Sequence, residues 1–162
     1  EDYFDRITKK TAIFIAGVCK TGGIVRDADP AELTALYEYG LNLGIAFQIQ
    51  DDILDFKGNK EITGKPVGND LRHGIITLPV IHLLKKSKNQ EYYSSNITKR
   101  DMNQAFLVQL ISEINNIGSL EYSYQKSEVF TQRALQSIEK IKDLKVKDIL
   151  TKIAVVANNR NF

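Results

Sequence analysis

The segment 29–56 constrains the fold most, because its pattern is that of one long helix that is apolar over most of its surface. Asp29 can cap the N-terminus, Pro30 suits the first helical position, and an acid follows three residues after the cap. Gly40 and Gly44 lie one turn apart. Since a glycine costs roughly 1 kcal/mol relative to alanine in a helix, we expect this pair to allow close packing against a neighbour. The sequence therefore predicts a buried, central helix.

The segment before it also has helical spacing. One helix face is marked by residues three and four apart, at Ile7, Thr11, Phe14 and Val18. The glycine pair at residues 22–23 predicts the end of this first helix.

Beyond residue 57 the pattern stays helical apart from a few interruptions. The stretch "KGNKEITGKPVGND" predicts a loop, and Pro79 breaks the apolar pattern that follows it. The stretch "KKSKNQEYYSSN" is typical of a linker, and from Thr98 to the end apolar residues recur in helical steps. No strand-like alternation of useful length and no internal repeat is found in the sequence. We therefore predict a single all-α domain over residues 1–162.

Composition excludes several classes of function. The 162 residues are 43% hydrophobic, which is enough for one core of ordinary size. The 22 basic and 20 acidic residues are spread along the chain, so nucleic acid is not an expected partner. Cys19 is the single cysteine, and the sequence shows neither a leader pattern nor an unbroken run of about 18 apolar residues. We expect a soluble, cytoplasmic protein without a transmembrane segment.

Three acids lie near the C-terminal end of the predicted long helix, in the stretch "GIAFQIQDDILDF". Asp51 and Asp55 share one helix face with Gln48, and Asp52 is turned by about 100° from them. Acids are unfavourable near a helix C-terminus and repel one another, so a cation is expected beside them. Carboxylate oxygens without histidine or cysteine suit Mg²⁺, which is commonly shared with substrate phosphates. The alternative is an exposed polar stripe near a helix end.

The loop after these acids contains candidates for a phosphate site. In "TGKPVGND", glycine N–H groups can approach an anion and Lys65 supplies a positive charge. The pattern is not a nucleotide P-loop, because GxxxxGK[ST] is absent. Lys10 and Thr11 in the first helix are further candidates. A simple solvated lysine is the alternative for each basic residue.

Together these motifs resemble the trans-isoprenyl (polyprenyl) diphosphate synthases. The likeness consists of "KTA" at 10–12, "FQIQDDILDF" at 47–56 as the second FQxxDDxxD motif, "TGKPVGNDL" at 63–71 and "GIITLP" at 74–79, in the family's order. Arg160 in "NNRNF" is similar to the family's basic C-terminal end. The resemblance implies an all-α fold, the C-terminal half of an isoprenoid-synthase-type helical bundle.

The resemblance also implies a metal site. Asp51 and Asp55 would hold Mg²⁺ against the diphosphate of the allylic substrate, and Asp52 would assist through bound water. Gln48 would lie in the same cavity, and Asp70 would support the site from outside the ligand set.

The diphosphate-binding residues implied by the resemblance are Lys10, Lys65 and Thr77, and Thr11 would lie near the reacting end of the substrate. The catalytic set that follows is Lys10, Thr11, Gln48, Asp51, Asp52 and Lys65. Breaking the allylic C–O bond leaves a carbocation and a pyrophosphate, whose negative charge Mg²⁺ and lysines neutralise. The carbocation alkylates the double bond of isopentenyl diphosphate. The resemblance implies that the released pyrophosphate accepts the proton. Since the double bond is the attacking group, neither a protein nucleophile nor a catalytic histidine is needed.

Two departures from the family pattern bear on function. The only DDxxD motif is at residues 51–55, so the chain resembles a half that lacks the first aspartate-rich motif. Ile75 occupies a position where many members carry lysine, a variant loosely associated with long-chain products. His73, His82 and Cys19 match no catalytic position.

Several functional interpretations stay open from the sequence. The chain is interpreted as a piece of a polyprenyl diphosphate synthase, with a natural half-protein that pairs with another chain as the second possibility. A helical interaction protein without catalysis and a terpene-cyclase-like protein are the third and fourth possibilities. The expected assembly is a homodimer, or a heterodimer with another synthase chain. Product length and the allylic primer are not encoded in these motifs.

Overall fold

The described part of the chain consists of helices joined by turns and short loops. A computed structural model describes residues 3–57, 67–99 and 103–158, and within these ranges no strand occurs. The helices are α1 (Tyr3–Ile7), α2 (Ile13–Val25), α3 (Pro30–Lys57), α4 (Asn69–Arg72), α5 (Leu78–Lys86), α6 (Gln90–Thr98), α7 (Gln104–Asn116), α8 (Ser119–Ser137) and α9 (Leu144–Asn158). A π-helical turn, Thr8–Ala12, joins α1 to α2, and a 3-10 turn, Ile138–Lys140, follows α8. The predicted all-α class is confirmed.

The described residues form two compact units. Of the described residues, the first unit combines 3–50 with 126–158, and the second comprises 51–57, 67–99 and 103–125. The core of the first unit is built by α3, α8 and α9 around Tyr39, Leu43 and Ile138. The core of the second is built by α5, α6 and α7 around Leu83, Tyr93 and Leu110. A single domain over residues 1–162 stays a prediction.

The start of α3 forms as the sequence indicates. The Asp29 carboxylate accepts hydrogen bonds from the N–H groups of Ala31 at 2.9 Å and Glu32 at 3.0 Å. The Glu32 carboxylate accepts from the backbone N–H of Lys142 at 3.0 Å, which ties this helix start to the segment before α9. An aspartate cap of this kind contributes about 1 kcal/mol to helix stability.

The glycine pair in α3 permits the close approach predicted for it. A Cβ on Gly40 would lie 2.7 Å from the Cα of Ala16, and one on Gly44 would lie 2.6 Å from the Cα of Ala12. Such distances are shorter than any real contact of a Cβ atom. The backbones of α3 and the first helical segment therefore touch at both glycines, and the expectation of close packing is confirmed.

The first helix does not end at the glycine pair, so that prediction is wrong. Helix α2 continues through Gly23 to Val25, and the chain turns at Asp27, which has a positive φ of 53°. A Cβ on Gly23 would lie 2.6 Å from the Leu36 side chain. This glycine therefore allows close packing inside the helix and does not terminate it.

The predicted linker "KKSKNQEYYSSN" is also wrong. It contains the end of α5 and most of α6, and only Ser87–Asn89 lie between the two helices. Tyr93 and Ile97 are one turn apart and both are buried in the core of the second unit. The polar composition of the stretch reflects its exposed face, while these two apolar residues stabilise the helix through packing.

Pro79 does not break a helix but lies in the first turn of α5, where its missing N–H group costs nothing. Within the described residues, no helix is long and apolar enough to cross a membrane.

Candidate functional site

The three acids of the DDxxD motif lie in the last two turns of α3, as the sequence predicts. Asp52 is buried, with 3% of its surface exposed, whereas Asp51 and Asp55 are half-buried. Such burial of a carboxylate costs free energy unless hydrogen bonds or cations compensate it. The alternative of an exposed polar stripe therefore does not describe these residues.

The Asp55 carboxylate is fixed by two backbone groups. Its Oδ1 accepts a hydrogen bond from the N–H of Asn69 at 3.0 Å, and its Oδ2 accepts from the N–H of Asp70 at 3.1 Å. The carbonyl of Asp55 accepts from the N–H of Gly68 at 2.9 Å. Gly68 has φ 72° and ψ 30°, a left-handed conformation that favours glycine. The start of α4 is thus held against the end of α3.

The donor chemistry of the acids fits a hard cation shared with a substrate. Within residues 3–57, 67–99 and 103–158, no group of three or more His, Cys, Asp or Glu side chains is arranged to hold a metal ion. Mg²⁺ in proteins is commonly held by one or two carboxylates together with substrate phosphates, not by an all-protein cage. Asp51, Asp52 and Asp55 carry carboxylates, the ligand type that such a site uses.

Thr77 lies immediately before α5 in the second unit. Its backbone is extended, with φ −105° and ψ 172°, and its carbonyl accepts from the N–H of Ile81 at 3.0 Å. The side chain is 2% exposed, and its hydroxyl is the one buried side-chain polar atom of the described residues that lacks a hydrogen-bond partner. A buried hydroxyl without a partner is costly, and a role in a functional site is one of the explanations for such an atom.

In the first unit, two predicted site residues are in direct contact. The Thr11 hydroxyl donates to the side-chain carbonyl of Gln48 at 3.0 Å, across 37 residues of sequence. Thr11 and the exposed Lys10 lie in the π-helical turn, a distortion that often marks functional positions. Sequence reasoning placed both residues in one site but did not predict this turn.

Two predicted residues cannot be placed. Lys65 and the C-terminal Arg160 lie outside the described residues. The described part of the loop motif begins at Val67 and includes Asp70, which is half-buried.

Sequence reasoning missed a buried polar cluster around Gln50. The Gln50 amide donates to Ser127 Oγ and to Asn158 Oδ1, both at 3.1 Å. Ser127 Oγ also lies 3.2 Å from the carbonyl oxygen of Ala46. The cluster fixes Gln50, the residue that precedes Asp51. The available signal was the spacing of Ser119, Ser123, Ser127 and Thr131 at four-residue intervals, all buried on α8.

The residues predicted to be non-catalytic have structural contacts. His82 stacks on Tyr122 with ring centroids 4.2 Å apart, and its Nδ1 lies 3.0 Å from Ser119 Oγ. Burial, and to a lesser degree the charge of Lys86, lowers the pKa of His82. Burial raises the pKa of the Cys19 thiol, which makes a reactive thiolate unfavourable.

Comparisons with known proteins give a consistent result. Residues 1–114 match the polyprenyl synthetase family. The chain is 38% identical over 162 residues to heptaprenyl diphosphate synthase component 2 of Bacillus subtilis (strain 168), covering 99% of this chain and 45% of that relative.

Solved structures agree with the sequence match. The heptaprenyl diphosphate synthase of Staphylococcus aureus superposes with a TM-score of 0.90 at 30% identity, covering 99% of this chain and 50% of that one. The polyprenyl synthase of Caulobacter crescentus CB15, complexed with calcium and isoprenyl diphosphate, has a TM-score of 0.90 at 29% identity and covers 99% and 49%. The chain therefore spans about half the length of the relatives that it matches.

Proposed function

Since this chain belongs to the polyprenyl synthetase family, we propose that it supplies one half of a trans-prenyltransferase that condenses isopentenyl diphosphate with an allylic diphosphate. The observation that carries the proposal is the DDxxD motif at the end of α3, where Asp52 is buried, in a chain whose residues 1–114 match the family. This chain together with the half of the relatives' length that it does not cover would form the complete enzyme.

The metal expected in this reaction is Mg²⁺, and Asp51, Asp52 and Asp55 are proposed to hold it, with Asp52 acting through bound water. When bound, it neutralises the negative charge that develops on the leaving diphosphate. The high burial of Asp52 supports the proposal, since a buried carboxylate is favourable beside a cation. Asp55 shares the helix face of Asp51 and is proposed to hold the metal together with it.

The substrate diphosphate is proposed to be bound by Lys10, Lys65 and Thr77. Lysine ammonium groups neutralise phosphate oxygens as point charges. Lys10 is exposed and so its Nζ is able to reach an anion, while the partnerless hydroxyl of Thr77 supports a role as a donor. Thr11 and Gln48 form a hydrogen-bonded pair of oxygen-bearing side chains, which suits the vicinity of a developing carbocation.

The reaction balances without a protein nucleophile. The allylic C–O bond breaks and its electron pair leaves with pyrophosphate. The double bond of isopentenyl diphosphate then forms the new C–C bond, and the proton lost from the adjacent carbon is transferred to the released pyrophosphate. The protein binds and orients the two substrates and excludes water from them. Most of the rate acceleration of such a step arises from this positioning and from electrostatic stabilisation.

The proposed partner is a second synthase chain. One relative is named component 2 of a heptaprenyl diphosphate synthase, which supports a heterodimer, and a homodimer is the alternative. A cytoplasmic location stays a proposal that rests on the single cysteine.

The function is tested by incorporation of labelled isopentenyl diphosphate into longer prenyl diphosphates by the complete enzyme with Mg²⁺. A helical interaction protein would give no incorporation and no Mg²⁺-dependent binding of pyrophosphate.

The 162-residue chain alone is expected to give no elongated product, even with Mg²⁺ and both substrates. It contains one DDxxD motif and spans about half of its relatives, so part of the diphosphate-binding surface is missing. Thin-layer chromatography of labelled products checks this, with the complete enzyme as the positive control. Prenyl diphosphate formed by the pure 162-residue chain would contradict the proposal that the site needs a second half.

Replacing Lys65 with alanine in the complete enzyme is expected to weaken binding of an unreactive allylic diphosphate by roughly ten- to a hundredfold, since charge-assisted hydrogen bonds contribute about 1.5–3 kcal/mol. Lys65→Arg should recover part of the loss, because guanidinium is planar and does not replace a compact ammonium. Calorimetric titration measures both.

The melting temperature should stay nearly unchanged in the Lys65 variants. Lys99→Ala is the control, because it removes the charge of an exposed lysine that is not part of the loop motif. Equal affinity of the Lys65→Ala variant and the wild type would assign Lys65 to solvent.

A further inference from the structure

We propose that Gln50, Ser127 and Asn158 are positioning residues, which fix the register of α3, that is, its rotation about its own axis and its position along it. This register brings Gln48 to Thr11. The role rests on the proposed function, in which that pair lies near the reacting end of the substrate. The three side chains, here named the Gln50 cluster, lie in the first unit together with Gln48 and Thr11.

The Gln50 cluster joins three helices through side-chain hydrogen bonds. Gln50 lies on α3, Ser127 on α8 and Asn158 at the end of α9. The Gln50 amide group donates two hydrogen bonds, to Ser127 Oγ and to Asn158 Oδ1, each at 3.1 Å. The proton of the Ser127 hydroxyl has two acceptors within reach, Asn158 Oδ1 at 3.0 Å and the carbonyl oxygen of Ala46 at 3.2 Å. Since Ala46 is one turn before Gln50, the cluster contacts α3 at two successive turns.

Burial makes these hydrogen bonds sensitive to the register of α3. Gln50 is 4% exposed, Ser127 0% and Asn158 8%. A buried polar group that loses its partner keeps its full cost of desolvation. Hydrogen bonds also require donor–acceptor distances in a narrow range, about 2.7–3.2 Å. A rotation or shift of α3 that separates Gln50 from its two partners is therefore unfavourable.

The other contacts of this part of α3 discriminate less between registers. Leu43 packs in the apolar core, and hydrophobic burial is non-directional. Gly44 lies against the backbone of Ala12 without a side chain that interlocks. The Tyr39 hydroxyl donates to the carbonyl of Leu150 at 2.7 Å, but Tyr39 lies about three turns before Gln50. Because long helices bend, that bond fixes the first half of α3 and leaves the part around Gln48 to the Gln50 cluster.

Gln48 lies on the face of α3 opposite to Gln50, because two residues turn a helix by about 200°. There its side-chain carbonyl accepts from the Thr11 hydroxyl at 3.0 Å. A shift of α3 by one residue moves Gln48 by about 1.5 Å along the axis and about 100° around it, which is more than this hydrogen bond tolerates. The Gln50 cluster therefore positions Gln48 from the other side of the helix, without touching substrate.

A role in stability alone predicts a different outcome from a role in positioning. Replacing all partners of a buried polar network by apolar side chains of similar shape is often neutral or stabilising. The triple variant Gln50→Met, Ser127→Ala, Asn158→Leu is therefore expected to fold in the complete enzyme, with a melting temperature within a few degrees of the wild type. It removes the directional contacts and keeps the packing.

Steady-state kinetics of the triple variant give the first test. The value of kcat is expected to fall by about ten- to a hundredfold, the effect of a displacement of about 1 Å near the reacting groups. KM for each diphosphate should stay within about twofold, because no substrate-binding group is removed. A wild-type kcat would overturn the proposal.

Two further variants complete this comparison. Thr131→Val is the matched control, because Thr131 is also buried on α8, one turn from Ser127, but its hydroxyl donates to the carbonyl of Ser127 within the same helix. Its kcat should equal that of the wild type. Ser127→Ala is the milder variant, which keeps the bond between Gln50 and Asn158. Its kcat should fall about threefold, and if the triple variant does not fold, an unchanged kcat in Ser127→Ala overturns the proposal.

A double-mutant cycle tests whether the Gln50 cluster acts through Thr11 and Gln48. Thr11→Val removes the donor of their hydrogen bond and is expected to lower kcat about tenfold in the wild-type background. In the triple variant the pair is already separated, so Thr11→Val should lower kcat by less than about twofold more. Independent sites give additive effects. Additivity would therefore show that the cluster does not act through this pair and would overturn the proposal.

A crystal structure of the complete enzyme carrying the triple substitution distinguishes the positioning role from the proposed function. The distance from Thr11 Oγ1 to Gln48 Oε1 is expected to exceed about 3.5 Å, beyond hydrogen-bond range. A distance unchanged from 3.0 Å would overturn the proposal at any level of activity. No incorporation of isopentenyl diphosphate by the wild-type complete enzyme would reject the proposed function, and this distance would still decide whether the Gln50 cluster positions Gln48.

Discussion

Replacing Asp51 with alanine in the complete enzyme is expected to lower turnover by about two to three orders of magnitude, the effect of removing roughly 3–4 kcal/mol of transition-state stabilisation. Asp51 is proposed to hold the cation that neutralises the departing diphosphate, so its loss acts on the chemical step. Steady-state incorporation of isopentenyl diphosphate at saturating substrates measures the change.

Folding should be nearly unaffected by this variant, because Asp51 is half-buried and alanine has the higher helix propensity. Asp148→Ala is the matched control, since it removes one carboxylate whose side chain is 58% exposed and pairs with Lys152 on α9. Its turnover should equal that of the wild type. Loss of helical circular dichroism in Asp51→Ala would show that the acid serves the fold and would contradict its assignment to the metal.

Replacing Gly44 with valine is expected to destabilise the protein by about 3 kcal/mol, at the upper end of the usual cost of overpacking. A Cβ at this position would lie 2.6 Å from the Cα of Ala12 and 3.1 Å from its Cβ. The backbone of Ala12 cannot rotate out of the way as a flexible side chain can. The valine therefore forces α3 to move away from the first helical segment. The melting temperature should fall by roughly 10 °C for a chain of this size.

The control for this prediction is Gly17→Ala in α2. A Cβ on Gly17 meets nothing within 4 Å, so this variant should be neutral or more stable by up to about 1 kcal/mol. Because Ala12 follows Thr11 in the π-helical turn, Gly44→Val should also disturb the Thr11–Gln48 hydrogen bond. An unchanged melting temperature in Gly44→Val would mean that the two backbones do not touch at this glycine.

Local features of the helices were predictable because they depend on residues close in sequence. The Asp29 cap is satisfied by the next turn of the same helix, and the cost of two glycines in one long helix indicated close packing before any partner was known. The motif order at residues 10–12, 47–56, 63–71 and 74–79 predicted the family, which the comparisons confirm.

Predictions failed where tertiary packing overrides local composition. A polar stretch forms α6 because Tyr93 and Ile97 are buried in the second core. Gly23 lies inside α2 because Leu36 occupies the space of a side chain. In both cases the deciding contact comes from a residue distant in sequence, which no local signal reports.

For the candidate site, the sequence by itself determined which residue types are present: three acids at a helix end, a threonine beside a lysine, and a glycine-containing loop. Only the tertiary structure decided what these groups contact. It joins Thr11 to Gln48 across 37 residues, buries Asp52, and turns both oxygens of Asp55 toward the backbone of Asn69 and Asp70. The physical reason is that a helical pattern fixes the face on which a side chain lies, whereas its hydrogen-bond partners depend on which distant backbone is packed against that face.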